Sequence, residues 1–158
     1  MTSYTILPAA NPADLADAGR LFRAYADSLP IDLGYQGFED ELAALPGKYA
    51  PPAGALLIAR MPDGAAVGCV ALRPIDGDGI CEMKRLYVRP EARGGGLGGA
   101  LIAAILREGR AAGYREMRLD TLPSMRAALA MYAQAGFEEI PAYYPTPVDG
   151  TIFLALRL

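Results

Sequence analysis

Five glycines stand within the six positions 94–99, after Arg93 and before an apolar, helix-like run from Ala100 to Leu106. Glycine permits positive φ and lets a ligand approach the main chain, because no Cβ stands in the way. At the start of a helix, unpaired N–H groups and the positive end of the helix dipole favour an anion such as phosphate. The segment therefore predicts a phosphorylated ligand held mainly by main-chain N–H groups.

The chain contains no histidine. Catalytic sites of the Ser-His-Asp or Cys-His kind are therefore excluded, and so are most catalytic zinc sites. Any general base must be a carboxylate, a lysine, a tyrosine, a cysteine or a water molecule that relays the proton.

The spacing Gly94-x-Gly96-x-x-Gly99 also fits the dinucleotide fingerprint, and Asp120 stands where a ribose-binding acid is expected. The context opposes this interpretation. The fingerprint normally follows the first strand of a domain, whereas here about ninety residues precede it. It also normally lies in a tight turn between strand and helix, and residues 89–93 make this connection too long for such a turn. Too little chain follows Asp120 for a second mononucleotide-binding half. The neighbouring residues therefore disfavour NAD.

Length and composition predict one ordinary domain, residues 4–158. The chain has 158 residues, 53% of them hydrophobic and 21% charged, which excludes a disordered chain. Its net charge of −3 argues against general affinity for nucleic acid. Neither a signal peptide nor an apolar run of membrane-spanning length is found. We therefore expect a cytoplasmic protein without a membrane partner, with Cys69 and Cys81 reduced.

Apolar periodicity predicts a mixed sheet with helices on its faces. The predicted strands are Tyr4–Leu7, Ala55–Arg60, Ala66–Arg73, Ile80–Val88, Met117–Thr121, Phe137–Ile140 and Ile152–Leu158. The predicted helices run from Asn11-Pro12 to about Asp27, from Phe38 to Leu45, from Leu97 to before Gly113, and from Pro123-Ser124 to Ala135. The second, third and fourth strands should form an antiparallel meander, with a turn at Asp76-Gly77-Asp78-Gly79.

Residues 82–98 resemble the central motif of the GNAT superfamily of N-acetyltransferases. That motif is a strand, then Arg or Gln, two variable residues, Gly, one residue, and Gly or Ala; Arg93, Gly96 and Gly98 fill it. A second family block, a helix ending in Tyr, three residues and Gly-Phe, is matched by Tyr132 and Gly136-Phe137. The resemblance covers nearly the whole chain. It implies a mixed, mostly antiparallel sheet flanked by helices, with a splayed strand pair that forms the acetyl-CoA cleft.

The resemblance also implies acetyl-CoA as the acetyl donor, a primary amine as the acceptor, and no metal. The pantetheine arm is expected along the main chain of Leu86, Tyr87 and Val88, as an added strand. The pyrophosphate is expected on the main chain of Arg93, Gly94, Gly95, Gly96, Leu97, Gly98 and Gly99. Ser124 stands where many members carry an asparagine that contacts the cofactor. Its side chain is expected either to bind the cofactor or only to cap the last helix.

Two side chains are implied for proton transfer. Glu82 stands where some members carry a glutamate that acts as the base, directly or through water. Tyr132 matches the tyrosine that protonates the departing thiolate, and a phenol with its ordinary pKa of about 10 can donate at neutral pH. Strand alternation places Glu82 and Lys84 on one face of their strand, and Cys81, Met83 and Arg85 on the other.

The identity of the acceptor stays open at this point. Acids and aromatic residues in segments 28–38 and 141–149 would suit a cationic amine, whereas Arg73, Lys84 and Arg85 would suit an acceptor with a carboxylate. Small amines, amino acids, peptide N-termini and protein lysines all stay open as acceptors. Whether the chain forms a homodimer also stays open. The alternative to an enzyme is a non-catalytic, regulatory acyl-CoA-binding module, which would have no use for an acid at Tyr132.

Overall fold

The computed structural model describes residues 3–75 and 77–158. Its strands are β1 Thr5–Pro8, β2 Ala55–Arg60, β3 Ala66–Pro74, β4 Ile80–Val88, β5 Glu116–Thr121, β6 Glu138–Ile140 and β7 Ile152–Arg157. Its α-helices are α1 Pro12–Ser28, α2 Phe38–Ala43, α3 Leu97–Ala111 and α4 Arg126–Ala135. Asp76, in the predicted turn, lies outside the described residues.

The strands form one seven-stranded sheet in the order β1-β2-β3-β4-β5-β7-β6. Neighbouring strands are antiparallel except β4 and β5, which run parallel. The predicted meander of β2, β3 and β4 is confirmed, and so is the mixed, mostly antiparallel sheet. β4 and β5 pair only from Ile80–Glu116 to Glu82–Arg118. Beyond these residues the two strands diverge, which confirms the predicted splayed pair.

An extra residue in β4 accompanies this divergence. Cys69 pairs with Tyr87 and Ala71 pairs with Lys84, so an advance of two residues along β3 corresponds to three residues along β4. Arg85 lies in this bulge with φ of 63°, the left-handed region that L side chains rarely adopt. A bulge bends its strand and increases the local twist. The bend turns the second half of β4 away from β5.

The bulge also changes which β4 side chains share a face. Cys81 and Met83 pack in the core beside α3, as the alternation predicts. The prediction that Arg85 joins them is wrong, because the extra residue shifts the phase of the strand. Arg85 instead pairs with Glu41 of α2, on the same side of the sheet as Lys84.

Apolar residues form one core on each face of the sheet. One core packs Leu101 and Ile105 of α3 against strand residues such as Met117, and the other packs Leu21 and Phe22 of α1 against the opposite face. None of the helices in residues 3–75 and 77–158 is both long and apolar enough to cross a membrane.

Two helix starts test the capping predictions. The Asn11 side chain accepts a hydrogen bond from the Asp14 N–H at 2.8 Å, which confirms the predicted start of α1. The predicted cap at Ser124 is wrong. The Met125 N–H bonds the Leu122 carbonyl at 3.0 Å, so the chain first makes a turn and α4 begins only at Arg126.

Candidate active site

The glycine-rich loop joins β4 to α3 and exposes main-chain donors. Gly94 and Gly96 adopt left-handed φ values of 90° and 83°. The Ala100 N–H makes the first helical bond, to the Gly96 carbonyl at 3.0 Å. The N–H groups of residues 97–99 therefore have no helical acceptor, and no side chain caps this helix start. The loop thus leaves main-chain donors unpaired at the start of a helix.

The glycines of the loop differ in what surrounds them. A Cβ added at Gly94, Gly96 or Gly99 would meet no heavy atom within 4 Å. A Cβ at Gly98 would lie 2.8 Å from the Met131 sulfur of α4. Packing between α3 and α4 therefore accounts for Gly98, whereas Gly94, Gly96 and Gly99 border open space.

Arg93 is exposed and ties the loop to β4. Its Nε donates to the Val88 carbonyl at 2.9 Å, and its guanidinium lies 5.8 Å from the centre of the Tyr87 ring. These contacts keep a cationic group beside the glycines.

The second half of β4 has a main-chain edge that faces the splay, on which Arg93 already bonds the Val88 carbonyl. The Arg89 N–H donates to the Val67 carbonyl at 2.8 Å. Because bonded residues alternate in an antiparallel pair, the N–H and C=O groups of Tyr87 also face β3. Those of Leu86 and Val88 then face away from β3, toward the gap beside β5.

A narrow cavity of about 30 Å³, which we call the cleft, opens between the diverging halves of β4 and β5. Tyr132 lines it and packs edge-on against Phe137, with ring centres 5.8 Å apart. Burial raises the pKa of the Tyr132 phenol above its ordinary value, with a smaller contribution from Tyr25. The hydroxyl is therefore protonated at neutral pH and can act as a proton donor.

Two basic side chains of β4 line the cleft opposite Tyr132. Lys84 Nζ donates to the Gln36 amide oxygen at 3.0 Å, and an Arg85 terminal nitrogen donates to the same oxygen at 2.9 Å. Glu41 holds Arg85 through two bonds of 2.9 Å. Burial, together with the nearby Arg85 charge, lowers the pKa of Lys84 to about 8.

Asp120, at the end of β5, is a carboxylate of the cleft that the sequence analysis missed. It lines the cleft together with Tyr132 and accepts a hydrogen bond from the Tyr144 hydroxyl. Apart from the dinucleotide fingerprint, the sequence indicated for Asp120 only a residue at a strand end with local hydrogen bonds. The signal that could have found it is its position at the end of the strand predicted to diverge from β4.

Glu82 lines a different cavity, of about 510 Å³, which we call the basin. The carboxylate is only 2% exposed and accepts hydrogen bonds from Arg73 Nε at 3.0 Å and from the Tyr143 hydroxyl at 2.5 Å. The other residues of the basin are Lys48, Pro74, Ile75, Arg118 and Tyr144. The structure therefore brings Tyr132 together with Lys84 and Asp120, but not with Glu82.

Ser124 is exposed in the turn before α4 and does not line the cleft. In the part of the chain that the structure describes, no group of three or more His, Cys, Asp or Glu side chains could hold a metal ion. The main chain of the glycine-rich loop, residues 93–99, could hold a phosphorylated cofactor through its unpaired N–H groups.

The acetyltransferase (GNAT) family matches residues 20–137. An uncharacterized N-acetyltransferase of Schizosaccharomyces pombe is 42% identical over 147 residues, which cover 93% of this chain and 90% of that protein. The aminoglycoside N(6')-acetyltransferase type 1 of Klebsiella aerogenes is 32% identical, with 84% of this chain and 91% of that protein covered.

A solved structure shares the fold at lower identity. A Salmonella typhimurium protein, solved with its cofactor acetyl-CoA, superposes with a TM-score of 0.72 at 20% identity, and 99% of this chain and 94% of that chain are covered. The resemblance seen in the glycine and tyrosine motifs is thereby confirmed. The chain belongs to the acetyltransferase (GNAT) family and is an acyltransferase that takes its acetyl group from acetyl-CoA.

Proposed function

We propose that this enzyme transfers the acetyl group of acetyl-CoA to the primary amine of a small molecule, by direct attack of the amine on the thioester. The observation that carries this proposal is the cleft between β4 and β5, which contains Tyr132 and lies along the strand that leads to the glycine-rich loop. The Klebsiella aerogenes relative, by its name an aminoglycoside N-acetyltransferase, supports a small-molecule amine as the acceptor.

In this proposal the main chain from Arg93 to Gly99 holds the pyrophosphate. The free N–H groups at the start of α3 and the open space beside Gly94, Gly96 and Gly99 fit that role. The amides of the pantetheine arm pair with the main chain of residues 86–88, where Leu86 and Val88 face the splay. The thioester, an activated acyl group, then lies in the cleft.

Tyr132 serves as the general acid. Its hydroxyl supplies the proton that the departing sulfur needs when the C–S bond breaks. Burial keeps the phenol protonated, and packing against Phe137 fixes the ring. Ser124 is the least supported of the predicted cofactor contacts, because it is exposed outside the cleft.

The base is a carboxylate in this proposal, because an ammonium group must lose a proton before it can attack. Glu82 would have to act through water, since Arg73 and Tyr143 already bond its carboxylate in the basin. Asp120 is better placed for direct action, because it lines the same cleft as Tyr132. Both carboxylates are therefore candidates, with Asp120 the more direct one.

An amine screen tests the proposed function. Thiol release from acetyl-CoA is followed with a broad panel of primary amines and without amine, and acetylated products are identified by mass spectrometry. We expect at least one amine to give thiol release above background, with N-acetylation of that amine. Thiol release at background across the whole panel would overturn the proposal.

A further inference from the structure

We infer that the acceptor carries a carboxylate, which Arg73, Arg118 and Lys48 bind in the basin while the acceptor amine enters the cleft. This inference rests on the proposed function and names the substrate class of the same site.

The basin has a charge opposite to that of the whole chain. The chain has a net charge of −3, yet the lining of the basin contains three cations and one carboxylate, Glu82. A concave surface with an excess of one sign of charge raises the local concentration of ligands of the opposite sign. A carboxylate is therefore attracted here, although the protein as a whole repels anions.

Both arginines of the basin are held in place and still have donors to offer. Arg73 uses Nε for Glu82, and Arg118 uses Nε for Glu116 while its guanidinium lies 5.5 Å from the centre of the Tyr143 ring. The side chains are 29% and 26% exposed. Within residues 3–75 and 77–158 their terminal nitrogens make no hydrogen bond. A fixed, planar guanidinium suits a carboxylate, because its nitrogens match the two oxygens.

The basin lies close enough to the cleft for one small molecule to reach both. Glu82 of the basin and Lys84 of the cleft are two residues apart on one face of β4, which corresponds to about 7 Å. Tyr144 lines the basin and bonds Asp120 of the cleft. A small acceptor whose carboxylate lies several bonds from its amine can therefore place the carboxylate in the basin and the amine beside Asp120.

The same charges disfavour a polycationic acceptor. An aminoglycoside carries several ammonium groups, and like charges close together are repelled. Lys48, Arg73 and Arg118 would face these groups across the basin. The acceptor class therefore differs from the one in the name of the Klebsiella aerogenes relative.

Matched acceptors test this inference by turnover. Amino acids are compared with their carboxamides, and kanamycin represents the polycations. We expect kcat/KM for the best amino acid to exceed that of its carboxamide by roughly tenfold or more, because charge-assisted hydrogen bonds are lost. The amine of the carboxamide is less basic, so a larger fraction of it is neutral and nucleophilic at neutral pH. This difference favours the carboxamide and cannot produce the expected preference for the amino acid. A carboxamide or kanamycin acetylated as well as the best amino acid would overturn the inference.

Variants of basin residues test whether the basin causes the preference for the amino acid over its carboxamide. Arg118→Gln and Lys48→Gln should lower the ratio between amino acid and carboxamide toward one, mainly through KM for the amino acid. Arg107→Gln, which removes an exposed arginine of α3 outside the basin, should leave the ratio unchanged. A ratio that stays high in both basin variants would contradict the inference.

Binding without turnover separates this inference from the proposed function. Calorimetry measures the affinity of an N-acetylamino acid and of its carboxamide in the presence of CoA. We expect the acid to bind roughly tenfold more tightly and to lose this advantage in Arg118→Gln. Equal affinities would overturn the inference even if amines are acetylated. Preferential binding of the acid without thiol release from any amine would support the basin and overturn the proposed function.

Discussion

Asp120 accepts a hydrogen bond from the Tyr144 hydroxyl, so a tyrosine of the basin is bonded to a carboxylate of the cleft. The preceding residue, Tyr143, donates to Glu82 at 2.5 Å. The two tyrosine rings pack edge-on with centres 5.5 Å apart, and both pack against Phe153 of β7. One segment thus contacts both candidate bases and holds the basin and the cleft in a defined arrangement.

Tyr132→Phe tests the general acid. The substitution removes the hydroxyl but keeps the ring that packs against Phe137, so folding should be preserved. We expect kcat to fall roughly 100-fold with little change in KM for acetyl-CoA, as is typical when an acid acts only in the transition state. Tyr114→Phe removes a hydroxyl that bonds the Ala53 carbonyl outside the cleft, and it should keep the wild-type kcat. If Tyr132→Phe matched the wild type, Tyr132 would not be the acid.

Asp120→Asn and Glu82→Gln distinguish the two candidate bases. Both replacements keep the size of the side chain and an oxygen that can accept the tyrosine hydrogen bond. We expect Asp120→Asn to lower kcat/KM roughly 100-fold, measured at one fixed pH. Glu82→Gln should lower kcat/KM less. The reverse order of the two losses would assign the base to Glu82.

Gly96→Ala tests the phosphate site. Gly96 has φ of 83°, and a Cβ there would project into open space where the pyrophosphate is proposed to bind. We expect the Kd of acetyl-CoA to rise at least about tenfold, measured by calorimetry.

Gly64→Ala is the matched control, because Gly64 has φ of 92° and equally open surroundings in the turn between β2 and β3. Both variants should lose about 1 kcal/mol of stability from backbone strain. Equal affinity for acetyl-CoA in the two variants would place the pyrophosphate elsewhere.

Local patterns predicted the strands well. The bounds of Ala55–Arg60 and Ile80–Val88 agree with the structure, because apolar runs and turn residues act over a few neighbouring positions. The glycine-rich loop was also predicted, since its composition permits left-handed φ and supplies no side chain to cap the helix start. The family resemblance added the splay of β4 from β5.

The bulge and the basin could not be predicted in this way, because they depend on residues far apart in the chain. Arg85 is held by Glu41, 44 positions away, and its left-handed φ has no local signal. Glu82 meets Tyr143, 61 positions away. No periodicity links such residues, so the separate cavity of Glu82 does not follow from the sequence.

Glu41→Gln tests the ion pair that supports the bulge. The Arg85 side chain is 2% exposed and that of Glu41 is 15% exposed, so the substitution leaves a buried charge without its partner. We expect a loss of about 3 kcal/mol in the free energy of unfolding, measured by urea denaturation followed by circular dichroism.

Glu39→Gln is the control on the same helix. It removes a pair with Arg23 in which the side chains are 71% and 47% exposed, and water screens such a pair. It should change the stability little. Similar losses in the two variants would mean that the Arg85–Glu41 pair contributes no more than an exposed one.

Lys84→Met tests the effect of the buried ammonium group on the pH dependence of stability. Burial lowers the pKa of Lys84 from 10.5 to about 8, with Arg85 acting in the same direction and Glu82 and Asp120 opposing it. Below pH 8 the group is charged in both the folded and the unfolded protein, and the full cost of burying the charge is present. Between pH 8 and 10.5 the Lys84 side chain is neutral in the folded state but keeps its proton in the unfolded state, so the free energy of unfolding rises with pH.

We expect the free energy of unfolding of the wild type, relative to Lys84→Met, to increase by about 2 kcal/mol between pH 7 and 9.5 in urea titrations, at 1.4 kcal/mol per unit of pH above 8. Other titrating groups are common to both proteins and cancel in the difference. A difference independent of pH would show that Lys84 keeps its ordinary pKa.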